Sequence, residues 1–313
     1  MAVGRPNGRH DIRAPLSEAN AVVVLFAGAL GDFLLALPSL RHLRERHRAA
    51  RCLLAVRTPL VWLAEQAGVA DAVVALDDRA MASFLGGEPP PAWWPAAPRL
   101  YSWFGGSDAA LRDRLCASAR DVEFRHVVRG AGTMHAAEDY ARAVGWDAAW
   151  NELVAAASLG PPVATAAATA DPLLVVHRGA GAPAKRWRAD GYAEVTAWWR
   201  AARGPVVELL GPAEHADAAL AGTRPLREQP LRSVVEVLRT AYAYLGNDSG
   251  PSHLAGALGV CGVVVFGPTD PERWRPLSAR LRVLRAAPPS GHADAIRDPP
   301  PDVVIACLAA SLP

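Results

Sequence analysis

The sequence predicts an α/β protein built from two doubly wound parallel sheets, one in each half of the chain. Two observations carry this. Short continuous apolar runs, such as Ala21–Phe26 (AVVVLF) and Val260–Phe266, alternate with helical patterns, and such runs suit parallel strands buried on both faces. Several runs also end in a glycine-containing turn that opens a helix, as at Ala27–Gly31 and Gly246–Ser252, which is the strand-turn-helix step of a wound sheet. A length of 313 residues is enough for two such domains.

In chain order, the first twenty residues lack an apolar core and read as a flexible extension rather than a secretory signal. Ala21–Phe26 is the first strand. After the turn, Asp32 opens a helix with Phe33, Leu34, Leu37, Leu40 and Leu43 near helical spacing, and Pro38 should kink it. Cys52–Val56 is a strand, Leu60–Ala67 a short helix and Ala72–Leu76 a third strand. Residues 79–135 are less regular, with a Pro- and Trp-rich stretch. Within them Leu100–Phe104 reads as a strand and Ala109–Ala119 as a helix. His135–Val144 is a helix ending at Gly145, and the Ala/Thr/Pro-rich run Ala155–Ala170 reads as the interdomain linker. The second sheet begins at Leu173–His177. Tyr192–Ala202 is a helix, Val206–Leu210 a strand, and Glu214–Ala221 and Leu231–Ala241 are helices. Ala241–Leu245 and Val260–Phe266 are strands flanking a short helix, followed by a strand at Leu281–Leu284 and a helix at Asp302–Leu312. The expected domains are therefore 21–160 and 171–313, after an extension over 1–20.

Composition narrows the function. Hydrophobic residues are 51% and charged residues 20%, which permits real cores. A net charge of +2 is too weak for a nucleic-acid binder, which would need a concentrated basic face, so no nucleic-acid partner is expected. No apolar run is long enough to span a membrane. Cys52, Cys116, Cys261 and Cys307 are scattered without zinc spacing, and Cys52 and Cys261 sit in apolar strand patterns. A reducing cytoplasm is the expected setting, with contact at the inner membrane face left open.

The most informative stretch runs from Tyr244 to Trp274. Its first strand stops at Gly246, and Asn247-Asp248-Ser249-Gly250-Pro251-Ser252 then forms a turn and a helix start, with Pro near the first helical position. Free backbone N–H groups and the positive dipole end attract anions there, although an ordinary capped helix would look the same. The turn echoes the GDSGG of trypsin-like proteases, but those are all-β. Gly28-x-x-Gly31 echoes a dinucleotide loop, but its third glycine is missing.

Three segments in order resemble one family. NDSGPSHLAGALGV with FGPTDPERW resembles the donor-site signature of glycosyltransferase family 9, the lipopolysaccharide heptosyltransferase family. Gly31-Asp32-Phe33-Leu34-Leu35-Ala36-Leu37-Pro38 is similar to its N-terminal GD-x-L-x-x-L-P motif, and His177–Gly181 with Lys185-Arg186-Trp187 is similar to its central motif. One departure is that Phe26 and Ala27 stand where members commonly carry a basic residue. The resemblance implies a GT-B fold, α/β, with two Rossmann-like domains facing across a cleft.

It also implies roles. From the residues alone Asp32 reads as a helix cap; the resemblance implies the base that deprotonates the acceptor hydroxyl. Lys185 and Arg186 would read as a solvated basic loop, and the resemblance implies that Lys185 contacts phosphate, with fixed cations neutralising a leaving diphosphate. Gly31, Gly179, Asp248, Ser249, Gly250 and His253 fall on or beside the donor-binding motifs, and Glu214 falls where members hold the ribose. Turn-stabilising roles for Asp248 and packing or capping for His253 stay open. Thr269 and Asp270 could face the same site.

The implied activity is inverting transfer of a sugar from a nucleotide-diphosphate sugar, ADP-heptose by precedent, to a glycan or lipid-linked acceptor. No D-x-D motif occurs, so neither metal nor cofactor is expected. Residues 79–104, with Trp93, Trp94 and Trp103 among them, are expected to form the acceptor side. The rival readings are a catalytically silent sugar-nucleotide binding protein and a nucleotide-sugar epimerase of the same fold.

Overall fold

The computed structural model describes residues 20–126, 132–161, 171–285 and 299–312. In chain order the elements are β1 (Ala21–Phe26), α1 (Leu30–Arg46), β2 (Arg51–Val56), α2 (Val61–Ala67), β3 (Ala72–Ala75), α3 (Arg79–Gly86), β4 (Arg99–Ser102), α4 (Ala109–Ala117), β5 (Asp121–Phe124), α5 (Ala136–Ala143) and α6 (Trp150–Ala156). The chain continues with β6 (Leu174–His177), α7 (Ala189–Ala202), β7 (Val206–Leu210), β8 (Arg224–Arg227), α8 (Leu231–Thr240), β9 (Ala243–Asn247), α9 (Gly250–Ala257), β10 (Gly262–Phe266), α10 (Pro271–Trp274), β11 (Leu281–Arg285) and α11 (Pro301–Ser311). The extension, up to residue 19, and 162–170 of the expected linker lie outside the described residues; Ala155 and Ala156 close α6.

The chain divides into two compact units. The first comprises 20–27, 46–61 and 70–126; the second comprises 28–45, 62–69 and the described residues from 132 onward. Nearly all of α1 and α2 thus group with the second unit.

The first unit is a parallel sheet in the order β3-β2-β1-β4-β5. All six β1 residues are buried, as a run of Val and Leu with no polar alternation requires. On one face Val23, Leu25, Leu53, Ala55, Val74 and Leu100 pack with Met81 and Phe84 of α3, Leu115 of α4, and Trp94. Two of the three tryptophans expected at the acceptor side are core residues instead. The Trp94 ring lies 5.0 Å from Phe84, and its indole N–H donates to the Ser118 carbonyl at 3.1 Å. Trp103 is 2% exposed and meets Phe26 edge-on at 6.0 Å. Burying such rings in an apolar core stabilises the sheet more than displaying them would.

The second unit holds a six-stranded parallel sheet in the order β11-β10-β9-β6-β7-β8. Leu174, Val176, Ala243, Leu245, Val263 and Val265 pack one face against Trp187, against Tyr192, Val195 and Trp199 of α7, and against Val304 and Leu308 of α11. Cys52 and Cys261 are buried, as their apolar surroundings predict.

One expected helix is absent. Glu214–Ala221 forms only a single 3₁₀ turn, Pro212–Glu214, followed by irregular chain. Here side chains serve the backbone groups that a helix would pair. Arg227 donates to the carbonyls of His215 at 3.0 Å and Asp217 at 2.9 Å, and Arg178 donates to that of Ala218. The Leu220 N–H donates to the buried Glu208 carboxylate at 2.8 Å. A backbone satisfied in this way has no need of i→i−4 bonds.

Candidate active site

Strands β6 and β9 are neighbours in the second sheet, with His177 opposite Gly246 in register. From β6 the chain winds outward through β7 and β8; β9, β10 and β11 then fill the other side. The order therefore reverses between β6 and β9. The loops leaving their carboxyl ends diverge there, and ligands of such sheets bind in the space they open.

The β9 loop is short. Ser249 is the N-cap of α9 and Pro251 lies in its first turn, where a missing N–H costs nothing. The Ser249 hydroxyl does not cap the helix; it meets His177 Nδ1 at 3.1 Å. The first turn of α9 thus keeps its anion-attracting character. At Gly250 the packing is tight: a Cβ there would stand 3.1 Å from the Leu30 side chain at the start of α1, which would have to give by a few tenths of an ångström. A Cβ at Gly31 would similarly stand 3.2 Å from the His253 ring. Helices α1 and α9 therefore meet near their amino ends.

The β6 loop, His177–Trp187, carries Lys185 at the end of a 3₁₀ turn. The Lys185 ammonium donates to Asp248 Oδ2 at 2.7 Å, and the Thr269 hydroxyl donates to the same oxygen, also at 2.7 Å. Asp248 is 7% exposed and Lys185 30%, so the pair is open on the ammonium side. Next to it, Arg186 donates to Glu214 Oε1 at 2.9 Å and lies 3.6 Å from Asp217. The other Glu214 oxygen accepts the Gly211 N–H at 3.1 Å and lies 3.8 Å from His177 Nε2. Both expected cations are thus ion-paired rather than solvated. Lys185 is the single lysine among the chain's 33 lysines and arginines, a signal present in the sequence.

Two buried histidines border this cluster. Burial, reinforced by the Arg186 guanidinium, pushes His177 down to about 4. It is therefore neutral at pH 7. With Nε2 facing the Glu214 carboxylate, Nδ1 is the acceptor for the Ser249 hydroxyl. Burial also lowers His253, against the opposing pull of the Asp248 carboxylate. His253 Nε2 lies 3.9 Å from Asp248 Oδ1, and its buried Nδ1 has no hydrogen-bond partner among the described residues.

Asp32 stands at the third position of α1, not at its cap, and accepts the Ala29 N–H at 3.1 Å. Its charge reaches Tyr140, whose hydroxyl is raised first by burial and then by Asp32. Asp270 caps α10, accepting the Glu272 N–H at 3.2 Å, which is the turn role its Pro271 neighbour suggests. The structure thus gathers Lys185, Asp248, Thr269 and His253 into one cluster, and Arg186, Glu214, Gly179 and His177 into another. Ser249 and Gly250 lie at their junction, and Gly31 brings the Asp32 turn against His253.

Residues missed by the sequence reading lie beneath these. Asn247 is fully buried and bonded to three residues of the β6 loop. Ser252 donates to the Asn247 carbonyl at 2.5 Å and meets the Tyr244 hydroxyl at 3.0 Å. Among the described residues no group of three or more His, Cys, Asp or Glu side chains could hold a metal ion, and no helix is long and apolar enough to cross a membrane.

Two Rossmann-like parallel sheets with a helix start at the switch point of the second define the GT-B class of fold. Comparison with known proteins agrees. The sequence profile of glycosyltransferase family 9 (heptosyltransferase) matches residues 117–298, and the chain belongs to that family. Among solved structures, ADP-heptose lps heptosyltransferase II of E. coli is similar at 19% identity, with a TM-score of 0.70 over 93% of this chain and 98% of that one. A family 9 glycosyl transferase of Veillonella parvula gives 16% identity and a TM-score of 0.69 over 95% and 99%. The E. coli heptosyltransferase WaaC with ADP gives 17% identity and 0.67 over 93% and 99%. At these identities the likeness concerns the fold. No curated protein matches in sequence.

Proposed function

We propose that this protein is an inverting glycosyltransferase that uses a nucleoside-diphosphate sugar, with the diphosphate seated over Ser249-Gly250 and beside Lys185 and Arg186. The supporting observation is the Lys185–Asp248 pair at the amino end of α9, 2.7 Å long and open on its ammonium side. Lys185 cancels the charge of Asp248, so an incoming diphosphate does not meet a bare carboxylate at the turn. Asp32 takes the proton of the acceptor hydroxyl. The acceptor oxygen then attacks the anomeric carbon from the face opposite the diphosphate, and the carbon–oxygen bond to the phosphate breaks. The electron pair remains on the departing phosphate oxygen, where Lys185, Arg186 and the α9 dipole stabilise it. Glu214, whose oxygens accept from Gly211 and Arg186, is our candidate for the ribose hydroxyls.

The family and the named E. coli relatives make ADP-heptose the first donor to test, and a glycan or lipid-linked lipopolysaccharide precursor the first acceptor. Four free cysteines fit a reducing cytoplasm, with the acceptor met at the inner membrane face. A thermal-shift screen of nucleotides and nucleotide sugars tests the donor, because a ligand at 100 times its Kd adds about 2.7 kcal/mol of stability. Incubation of the stabilising nucleotide sugar with candidate acceptors then tests transfer. Stabilisation by a nucleotide sugar without transfer to any acceptor, or release of an epimerised sugar, would overturn the reading.

A further inference from the structure

We propose that Asn247 is a positioning residue that holds the His177–Trp187 loop so that Lys185 stands on Asp248; the inference rests on the reading that Lys185 is the diphosphate's cation. Asn247 ends β9 at the switch point and is fully buried. Its amide spans the base of the β6 loop. Nδ2 donates to the carbonyls of Arg178 at 2.7 Å and Gly179 at 3.3 Å, and Oδ1 accepts the Trp187 N–H at 3.0 Å. Both ends of the loop are thus tied to one side chain, and Lys185 lies between them. The three partners fix the amide's orientation, since reversing it would set its oxygen against two carbonyls and its NH₂ against an N–H. No other side chain of this length offers two donors and an acceptor. Aspartate matches the shape but turns an oxygen toward two carbonyl oxygens, and alanine leaves three buried backbone groups unpaired.

The connection to function follows from the chain. Asn247 directly precedes Asp248, so a single backbone segment carries both the counter-charge of Lys185 and the clamp on its loop. If the clamp is lost, Asp248 stays on β9 while the ammonium is no longer delivered to it. Nothing in the Asn247 contacts involves Lys185 directly, which is why its role is positioning.

Because Lys185 is the only lysine, its acetylated peptide reports one side chain without ambiguity. Acetic anhydride labelling is compared for the wild type, Asn247→Asp, Asn247→Ala and, as a control that removes the paired carboxylate, Asp248→Asn. We expect Lys185 to react at least fivefold faster in both Asn247 variants, as in the control. Wild-type labelling rates in both would overturn the proposal, as would failure of both to fold, which would assign Asn247 to stability alone. If only the alanine variant fails to fold, the isosteric aspartate decides. Calorimetric ADP binding provides the second arm. Asn247→Asp should weaken ADP at least tenfold in the wild-type background but less than twofold in Lys185→Ala, because an effect exerted through Lys185 disappears with it. Equal factors in both backgrounds would overturn the proposal. Unchanged ADP affinity in Lys185→Ala alone would instead sink the reading of Lys185 as the diphosphate's cation, and the labelling arm would still decide on Asn247.

Discussion

The carboxylate of Glu214 occupies the space that a side chain at residue 179 would need: a Cβ there would stand 2.5 Å from each of its oxygens. Gly179 is thus the condition for Glu214 to be 3% exposed while holding Arg186 and the Gly211 N–H. Gly179→Ala should drive the carboxylate out, at a cost of about 1–3 kcal/mol for overpacking. It should also release Arg186 and weaken ADP binding about tenfold or more, the worth of one charge-assisted contact. Calorimetry beside Glu214→Gln checks this; wild-type ADP affinity in Gly179→Ala would show that the fit has no bearing on the nucleotide.

Asp32→Asn should fold and bind nucleotide normally while scarcely transferring sugar. The Asn oxygen can still accept the Ala29 N–H, so the start of α1 is kept. What is lost is a group able to take the acceptor's proton, and general-base loss costs about 10²–10⁴ in rate. Turnover and ADP affinity are measured together. Transfer at the wild-type rate would leave Asp32 with only its place in the first turn.

Acid should destabilise the fold before most carboxylates titrate. Burial holds His135 and His177 at about 4, whereas an unfolded histidine titrates near 6.5. The folded chain favours the neutral rings, so their contribution is complete above about pH 6.5 and is lost as the pH falls toward 4. Each ring should contribute a slope of about 1.4 kcal/mol per pH unit in that window. Urea unfolding at pH 7, 6 and 5 would reveal it, and His135→Asn, which can still cap α5, should flatten the slope. A stability unchanged from pH 7 to pH 5 would contradict the assignment.

Transfer should persist in EDTA. Lys185 and Arg186 hold an ammonium and a guanidinium beside the α9 turn, donors that can share phosphate oxygens with their carboxylate partners where metal-bridged transferases use a divalent ion. Activity is assayed with EDTA and then with added Mg²⁺ or Mn²⁺. Strict dependence on the added ion would end the metal-free mechanism.

The alternation of strand and helix in both sheets rests largely on elements that the sequence states openly. β1 and β7 begin and end where their apolar runs do, and the α9 turn was legible because glycine, proline and serine cluster where a strand pattern stops. The gaps have physical causes. β8 (RPLR) is a largely exposed edge strand containing a proline, so it has neither apolar alternation nor a full set of donors. β5 (DVEF) is half-buried throughout, and α3 is eight residues long and marked mainly by its Asp78 cap. The missing helix after Glu214 depends on Arg178 and Arg227, whose side chains take carbonyls that no local pattern could withhold. In the site, residue types were readable and partnerships were not. Asn247 looked like one more turn former because its partners stand 60 to 69 residues away.

The pairing of Lys185 with Asp248, and of Arg186 with Glu214, has a kinetic consequence. Charges that are already neutralised project little field into solvent, so they do little to draw a distant anion inward. Association of the donor should therefore proceed at an ordinary, unsteered rate that changes little with ionic strength. Discrimination among nucleotide sugars would then lie in how long each stays, once it is close enough to share the ammonium with Asp248.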